Sequence, residues 1–190
     1  LTERIGDFIE TFTGKQFWPL DPRPEDVDIS DIAHSLSMQC RFNGHCSRFY
    51  SVAEHSIIVA KELAARDYYP GVQLRGLLHD AAEAYICDIP RPIKRHIGYY
   101  VGLEYKVQKA IFEAFGLTPE TKNHLSYMLR DIDNALLKYE AKNIMPNNQN
   151  WAKSITGLDL KLKPVLGLSP QEAKKQFIEM FHKLTDELKG

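Results

Sequence analysis

From Ile29 onward, apolar residues recur at three- and four-residue spacing in stretches cut by proline and glycine, which confines the chain to packed amphipathic helices. DIAHSLSM is a short first helix. SVAEHSIIVAKELAARD opens with Ser51 and Glu54 spaced as a capping box and runs to about Asp67. Pro70 and Gly71 interrupt the chain, and VQLRGLLHDAAEAY reads as the third helix. A loop with Pro90 and Pro92 follows, then YYVGLEYKVQKAIFEAFG, ending at Gly116. Thr118 and Pro119 take N-cap and first-turn roles for HLSYMLRDIDNALLKYEAKNI. The stretch from Met145 to Leu168 is irregular, a length that suits a functional or mobile loop. Ser169, Pro170 and Glu172 then cap a last amphipathic helix, 169–189, with Phe177, Phe181, Leu184 and Leu188 on one side. Only residues 8–20, alternating around Thr13, Gly14 and Lys15, suit a hairpin. The expected fold is all-α, one domain over residues 1–190 with a small N-terminal β-hairpin.

A formal net charge of -1 with 26% charged residues gives no bias toward nucleic acid or anionic membrane, so no stable nucleic-acid binding is expected. No run of about eighteen apolar residues occurs and the first thirty lack the order of a signal peptide, so a cytoplasmic protein without membrane association is expected. Cys40, Cys46 and Cys87 are an odd number for a disulfide framework. Cys40, His45 and Cys46 cluster without the paired knuckles of a zinc site, so free thiols are expected.

Three segments carry polar residues where helical geometry places the core. On the third helix Leu74, Leu77, Leu78, Ala81, Ala84 and Tyr85 share one side, and His79, Asp80 and Glu83 lie together on the other, either as a solvated face or as a ligating one. His55 falls on a face with Val52, Ile58, Val59 and Leu63, as a hydrogen-bonded core histidine or as a ligand. In MLRDIDNALLKYE the stripe of Leu125, Leu129, Ile132, Leu136 and Leu137 contains Asp133 and sets Asp131 opposite. A carboxylate there needs an arginine, hydrogen bonds or a cation. Two imidazoles and two carboxylates from three inward faces favour a divalent metal such as Mn, Fe, Co or Zn.

The order His55, His79-Asp80, Asp133, with SVAEHS, LLHDAAEAY and DIPRPIK around it, resembles the HD superfamily of metal-dependent phosphohydrolases, and is similar to bacterial 5'-deoxynucleotidases and phage dATP triphosphohydrolases. The similarity covers about residues 31–145. It implies an HD-domain helical bundle in which His55, His79, Asp80 and Asp133 hold a divalent metal ion (Mn, Co, Fe, Zn or Mg). It also implies a role for Glu83 in handling the attacking water or its proton, and for Asp88 near the scissile phosphate. Arg41 and Lys94 match phosphate contacts, and Phe42 and Pro92 fall on the nucleoside side. Phe42 stands where some relatives carry tryptophan. Arg91 and Arg95 are expected at solvent or a subunit contact, His34 and His45 outside the ligand set.

The expected activity is hydrolysis of a deoxynucleotide by metal-activated water, releasing phosphate from a monophosphate or triphosphate from a substrate such as dATP. The alternatives are a nucleotide-sensing module that binds without turnover, an alarmone hydrolase, and a helical scaffold with internally paired His and Asp. A homo-oligomer is expected, the hairpin and last helix being candidates for burial between subunits.

Overall fold

The computed structural model describes residues 3–117, 124–146 and 150–190. Thr118 and Pro119, expected at a helix start, and the side chain of Leu125 lie outside the described residues.

A short hairpin opens the chain, with β1 (Ile9–Glu10) antiparallel to β2 (Gln16–Phe17) and Ile9 opposite Phe17. Helices follow: α1 (Ile29–Met38), α2 (Val52–Ala64), α3 (Pro70–Leu77), α4 (Glu83–Ile86), α5 (Arg91–Lys94), α6 (Gly98–Ala114), α7 (His124–Ile144) and α8 (Pro170–Glu187). The chain is thus mostly helical, with one small hairpin, as its periodicity predicts.

The fold is organised around α2, every residue of which except Lys61 and Ala64 is more than nine-tenths buried. It packs against α3 and α8 on one side and α7 on another. Ala53, Ile57 and Ala60 join α1, α3 and α8 through Ile32, Leu36, Leu77, Phe177 and Phe181, whereas Ile58, Val59 and Leu63 meet Ile132, Leu136 and Leu166 in a second core cluster. A helix buried on nearly all sides must find partners for its polar residues. Glu54, His55 and Glu62 therefore become tie points of the fold.

Ser51 accepts from the Glu54 amide at 3.1 Å, but only this half of the expected capping box forms. The Glu54 carboxylate instead accepts from the amides of Gly167 and Leu168 at 2.7 and 3.0 Å. Glu62 does the same for Lys161 and Leu162, at 2.7 and 3.0 Å, and also binds Arg66. The stretch after α7 is consequently not a structureless loop: it contains a 3-10 turn at Asn150–Ser154, and its second half is strapped onto α2 by two buried carboxylates. At α8 the whole capping box forms between Ser169 and Glu172.

Two further expectations are corrected. The apolar side of α8 is covered by α1, α2 and α3 of the same chain, so it is not a face left for a second subunit; of the four apolar residues expected on that side, Leu188, just beyond the end of α8, is the one substantially exposed. The third helix is not continuous: α3 stops at Leu77, turns occupy residues 78–82, and α4 restarts at Glu83. Gln108 on α6 takes the backbone groups freed by this break, donating to Leu78 O at 2.7 Å and accepting from the Ala82 amide at 3.1 Å. No helix among the described residues is long and apolar enough to cross a membrane.

Candidate metal centre

The break beyond α3 delivers the His79-Asp80 doublet to the start of α2. At Gly76 a Cβ would lie 2.4 Å from Leu63 Cδ1, so a larger residue there would have to displace the Leu63 side chain packed between α2 and α3. His55, His79 and Asp80 each offer a ligand atom, and these atoms all lie within 4.8 Å of one another.

The hydrogen bonds on the far side of each ring define what the near side can do. Nδ1 of His55 is 2.6 Å from Glu140 Oε1, and Nδ1 of His79 is 2.8 Å from Gly76 O. Both Nε2 atoms are buried and lack a hydrogen bond of acceptable geometry. Carboxylates face them: Asp80 Oδ2 stands 3.2 Å from His79 Nε2, and Asp133 Oδ1 stands 3.2 Å from His55 Nε2. Imidazoles anchored through Nδ1, with Nε2 turned toward carboxylates, are the arrangement that holds a divalent cation. The donor set therefore fits the mixed nitrogen and oxygen ligation of a first-row metal.

Asp133 reaches this group from α7 but stands at its edge. Its Oδ1 faces His55, while its Oδ2 pairs with Arg91, which also donates to Asn134 Oδ1 at 2.7 Å. Arg91 is exposed to solvent, as expected, and at the same time bridges α5 to the site. Asp131 points away, as expected, with Arg130 3.5 Å from it.

Arg41 stands beside the doublet. Its guanidinium lies 3.3 Å from Glu140 Oε2 and 3.7 Å from Asp80 Oδ2, and its side chain is 12% exposed. Glu140, fully buried, thus binds His55, Arg41 and, at 2.8 Å, the Tyr50 hydroxyl. The sequence reading missed it. The signal was available, since Glu140 follows Asp133 by seven residues and so shares its face of α7.

The electrostatics follow from this crowding. Burial and Arg41 oppose a charge on His55, but Glu140 and Asp133 outweigh them and raise its pKa to about 9. Burial also works against Asp80, which His79, His55 and Arg41 nevertheless hold well below the usual carboxylate range. Asp133, opposed by burial and favoured by His55, falls to about 2. Glu83 goes the other way: burial, then Asp80 and Asp88, push it up to about 10. Its Oε2 has no hydrogen-bond partner, and Oε1 is 3.5 Å from Lys94 Nζ.

The remaining candidates lie around this centre. Lys94 also pairs with Glu104, so it is a bridge between two acids rather than a solvated cation. Asp88 is half-buried, its amide bonded to Gln39 Oε1 at 3.0 Å; the same Gln39 amide group donates to Glu83 O at 3.0 Å and so fixes both acids relative to α1. Phe42 packs against the second core cluster, its ring 5.8 Å from the Arg41 guanidinium, and Pro92 is exposed in the first turn of α5. His34 stacks on Phe12 with ring centroids 3.9 Å apart and is not among the residues of the ligand group. The last helix contributes no residue to the centre.

No family model matches the chain. It is similar to the uncharacterized protein YfdR of Escherichia coli, 34% identical over 94% of this chain and 96% of the relative. A second uncharacterized protein, from Rhodobacter capsulatus, is also 34% identical, over 94% of this chain and 95% of its own length. The chain belongs to the protein family of these two, matching them almost end to end.

Proposed function

We propose that the chain is a metal-dependent phosphohydrolase of the HD kind, acting on deoxynucleotides in the cytoplasm. The observation that carries this reading is the pair of buried Nε2 atoms on His55 and His79, each ring anchored through Nδ1 and each facing a carboxylate. His55, His79 and Asp80 would hold the ion, with Asp133 as the fourth ligand once it exchanges Arg91 for the cation. A divalent cation there supplies Lewis acidity, which acidifies water and polarises a phosphoryl oxygen.

The protein's own groups would do the rest. Arg41 presents a planar donor set beside Asp80 and would orient an anionic phosphate, with Lys94 adding charge from the other side. Glu83, held protonated near neutral pH by burial and then by the Asp80 and Asp88 carboxylates, suits a group that moves a proton during turnover. Asp88, raised by burial, is the second such group. Phe42 and Pro92 would border the nucleoside.

The test is to load the protein with Mn, Co, Fe, Zn or Mg, incubate it with a panel of deoxynucleoside mono- and triphosphates, and identify every product by ion-exchange chromatography. Inorganic phosphate from monophosphates or inorganic triphosphate from triphosphates is expected. Stoichiometric nucleotide binding without product across all five metals would replace the enzyme with a sensing module.

A further inference from the structure

Cys40 and Cys46 bracket the loop that carries Arg41, and their sulfur atoms lie 3.5 Å apart. The proximity is built in rather than incidental. At one end Cys40 bridges to Ser51, with the Arg41 amide bonded to Tyr50 O at 2.9 Å and the Val52 amide to Gln39 O at 3.1 Å. At the other end the Ser47 amide binds Ile144 O at 2.7 Å. Between them Phe42, Asn43 and Gly44 all take positive φ, at 56°, 52° and 76°, which folds the five intervening residues into a tight return. Both thiols are half-buried. An S–S bond of about 2.05 Å requires the sulfurs to close by about 1.5 Å.

We propose that Cys40 and Cys46 are an oxidation site, at which a hydroperoxide converts the two thiols to an intramolecular disulfide that staples the Arg41 loop. In the first step the Cys40 sulfur, as thiolate, attacks the peroxide; the O–O bond breaks, the alcohol leaves with a proton, and Cys40 becomes a sulfenic acid. The Cys46 sulfur then attacks the Cys40 sulfur, the S–O bond breaks, and the hydroxyl leaves with the Cys46 proton as water. Two thiols are oxidised and one peroxide is reduced. Burial and the neighbouring Cys40 thiol push the Cys46 thiol up to about 11, which disfavours Cys46 as the first nucleophile. On oxidation the Cys46 sulfur gives up its contact, at 3.7 Å, with the Arg41 carbonyl. This site stands independently of the phosphohydrolase reading.

The experiment treats the whole protein with hydrogen peroxide, alkylates the remaining thiols and maps the peptides by mass spectrometry without reduction, with exposed Cys87 as the internal control. The expected result is a Cys40–Cys46 link lacking two hydrogens, reversed by dithiothreitol, forming faster in the folded protein than in urea. In Cys46→Ser, Cys40 should stop at a sulfenic acid that dimedone traps. The proposal is overturned if Cys40 and Cys46 are both still alkylated when Cys87 has been oxidised, or if the link forms no faster in the folded protein than in urea.

Discussion

Nδ1 of His55 stands 2.6 Å from Oε1 of Glu140, and both side chains are removed from solvent. A carboxylate in that position fixes the ring, leaves Nε2 toward the ligand group and makes the imidazole a better donor. Glu140→Gln keeps the shape and loses the charge. It should weaken divalent-metal affinity by about 10- to 100-fold, the usual cost of removing such a partner, measured by competition against a fluorescent chelator. Glu140→Ala should go further and destabilise the fold by about 3–5 kcal/mol in urea denaturation, because His55, Arg41 and Tyr50 lose the buried carboxylate they share. Unchanged metal affinity in Glu140→Gln would separate Glu140 from the centre.

Metal uptake should depend on pH through His55. In the metal-free protein its pKa is raised from 6.5 to about 9, so it is protonated at neutral pH, while Asp133 at about 2 is already ionised. A cation must displace that one proton. Affinity should therefore rise by about tenfold per pH unit below about 9 and level off above it. The same shift acts on folding in the opposite sense: the raised value stabilises the metal-free protein fully below pH 6.5, and this contribution is lost as pH rises through about 9. Calorimetry in buffers of different ionisation enthalpy reads the released proton directly. A flat dependence between about pH 7 and 9 would mean that His55 does not ligate the ion.

Arg91 competes for Asp133. Its side chain is 54% exposed, so the pair contributes at most about 1 kcal/mol. Arg91→Gln should free Asp133 and tighten Mn binding by no more than about fivefold, read by electron paramagnetic resonance of the free ion. Weaker binding would show that Arg91 orients Asp133 for the metal rather than withholding it.

Glu62 offers a contrast far from the centre. Its buried carboxylate accepts two consecutive amides, from Lys161 and Leu162, and pairs with Arg66. Glu62→Gln cannot accept both amides and the guanidinium with equal strength. It should cost about 1–3 kcal/mol in urea denaturation and speed hydrogen exchange at Lys161 and Leu162, with metal affinity unchanged. Exchange no faster than in the parent protein would show that the strap is held by its apolar contacts instead.

The parts of this structure that were legible in the sequence are those set by local periodicity. The stripe on α7 placed Asp133 inward and Asp131 outward, and the face of α2 turned His55 to the core, as the structure has them. What stayed illegible depends on partners distant in the chain. The interruption at the doublet is stabilised by Gln108, thirty residues after Leu78, and periodicity carries no trace of that amide. Half the capping box at α2 is lost because residues 113 and 114 positions away claim Glu54. Arg91 sits in a proline-bounded turn, where helical geometry does not say which way a side chain points. Glu140 is the instructive omission, since the same stripe that identified Asp133 passes through it.

Asp80 and Glu83 should separate in function although they stand only three positions apart in the sequence. Asp80 belongs to the group that could hold the ion, so on the proposed reading Asp80→Ala should remove tight metal binding and turnover together. Glu83 makes no ligand contact, so Glu83→Gln should leave metal bound, verified by elemental analysis, while slowing the release of phosphate or triphosphate by about 10²- to 10⁴-fold, the contribution of a positioned proton carrier. Stability gives a second readout. Because the folded protein raises Glu83 from 4.5 to about 10, it binds more protons than the unfolded chain across that window, so its stability falls as pH rises through it. Glutamine cannot ionise. The metal-free Glu83→Gln protein should therefore be more stable than its parent near neutral pH, with a shallower loss toward alkaline pH in denaturant titrations. A variant that loses the metal, or shows the parent's pH slope unchanged, would remove Glu83 from the proton-handling role.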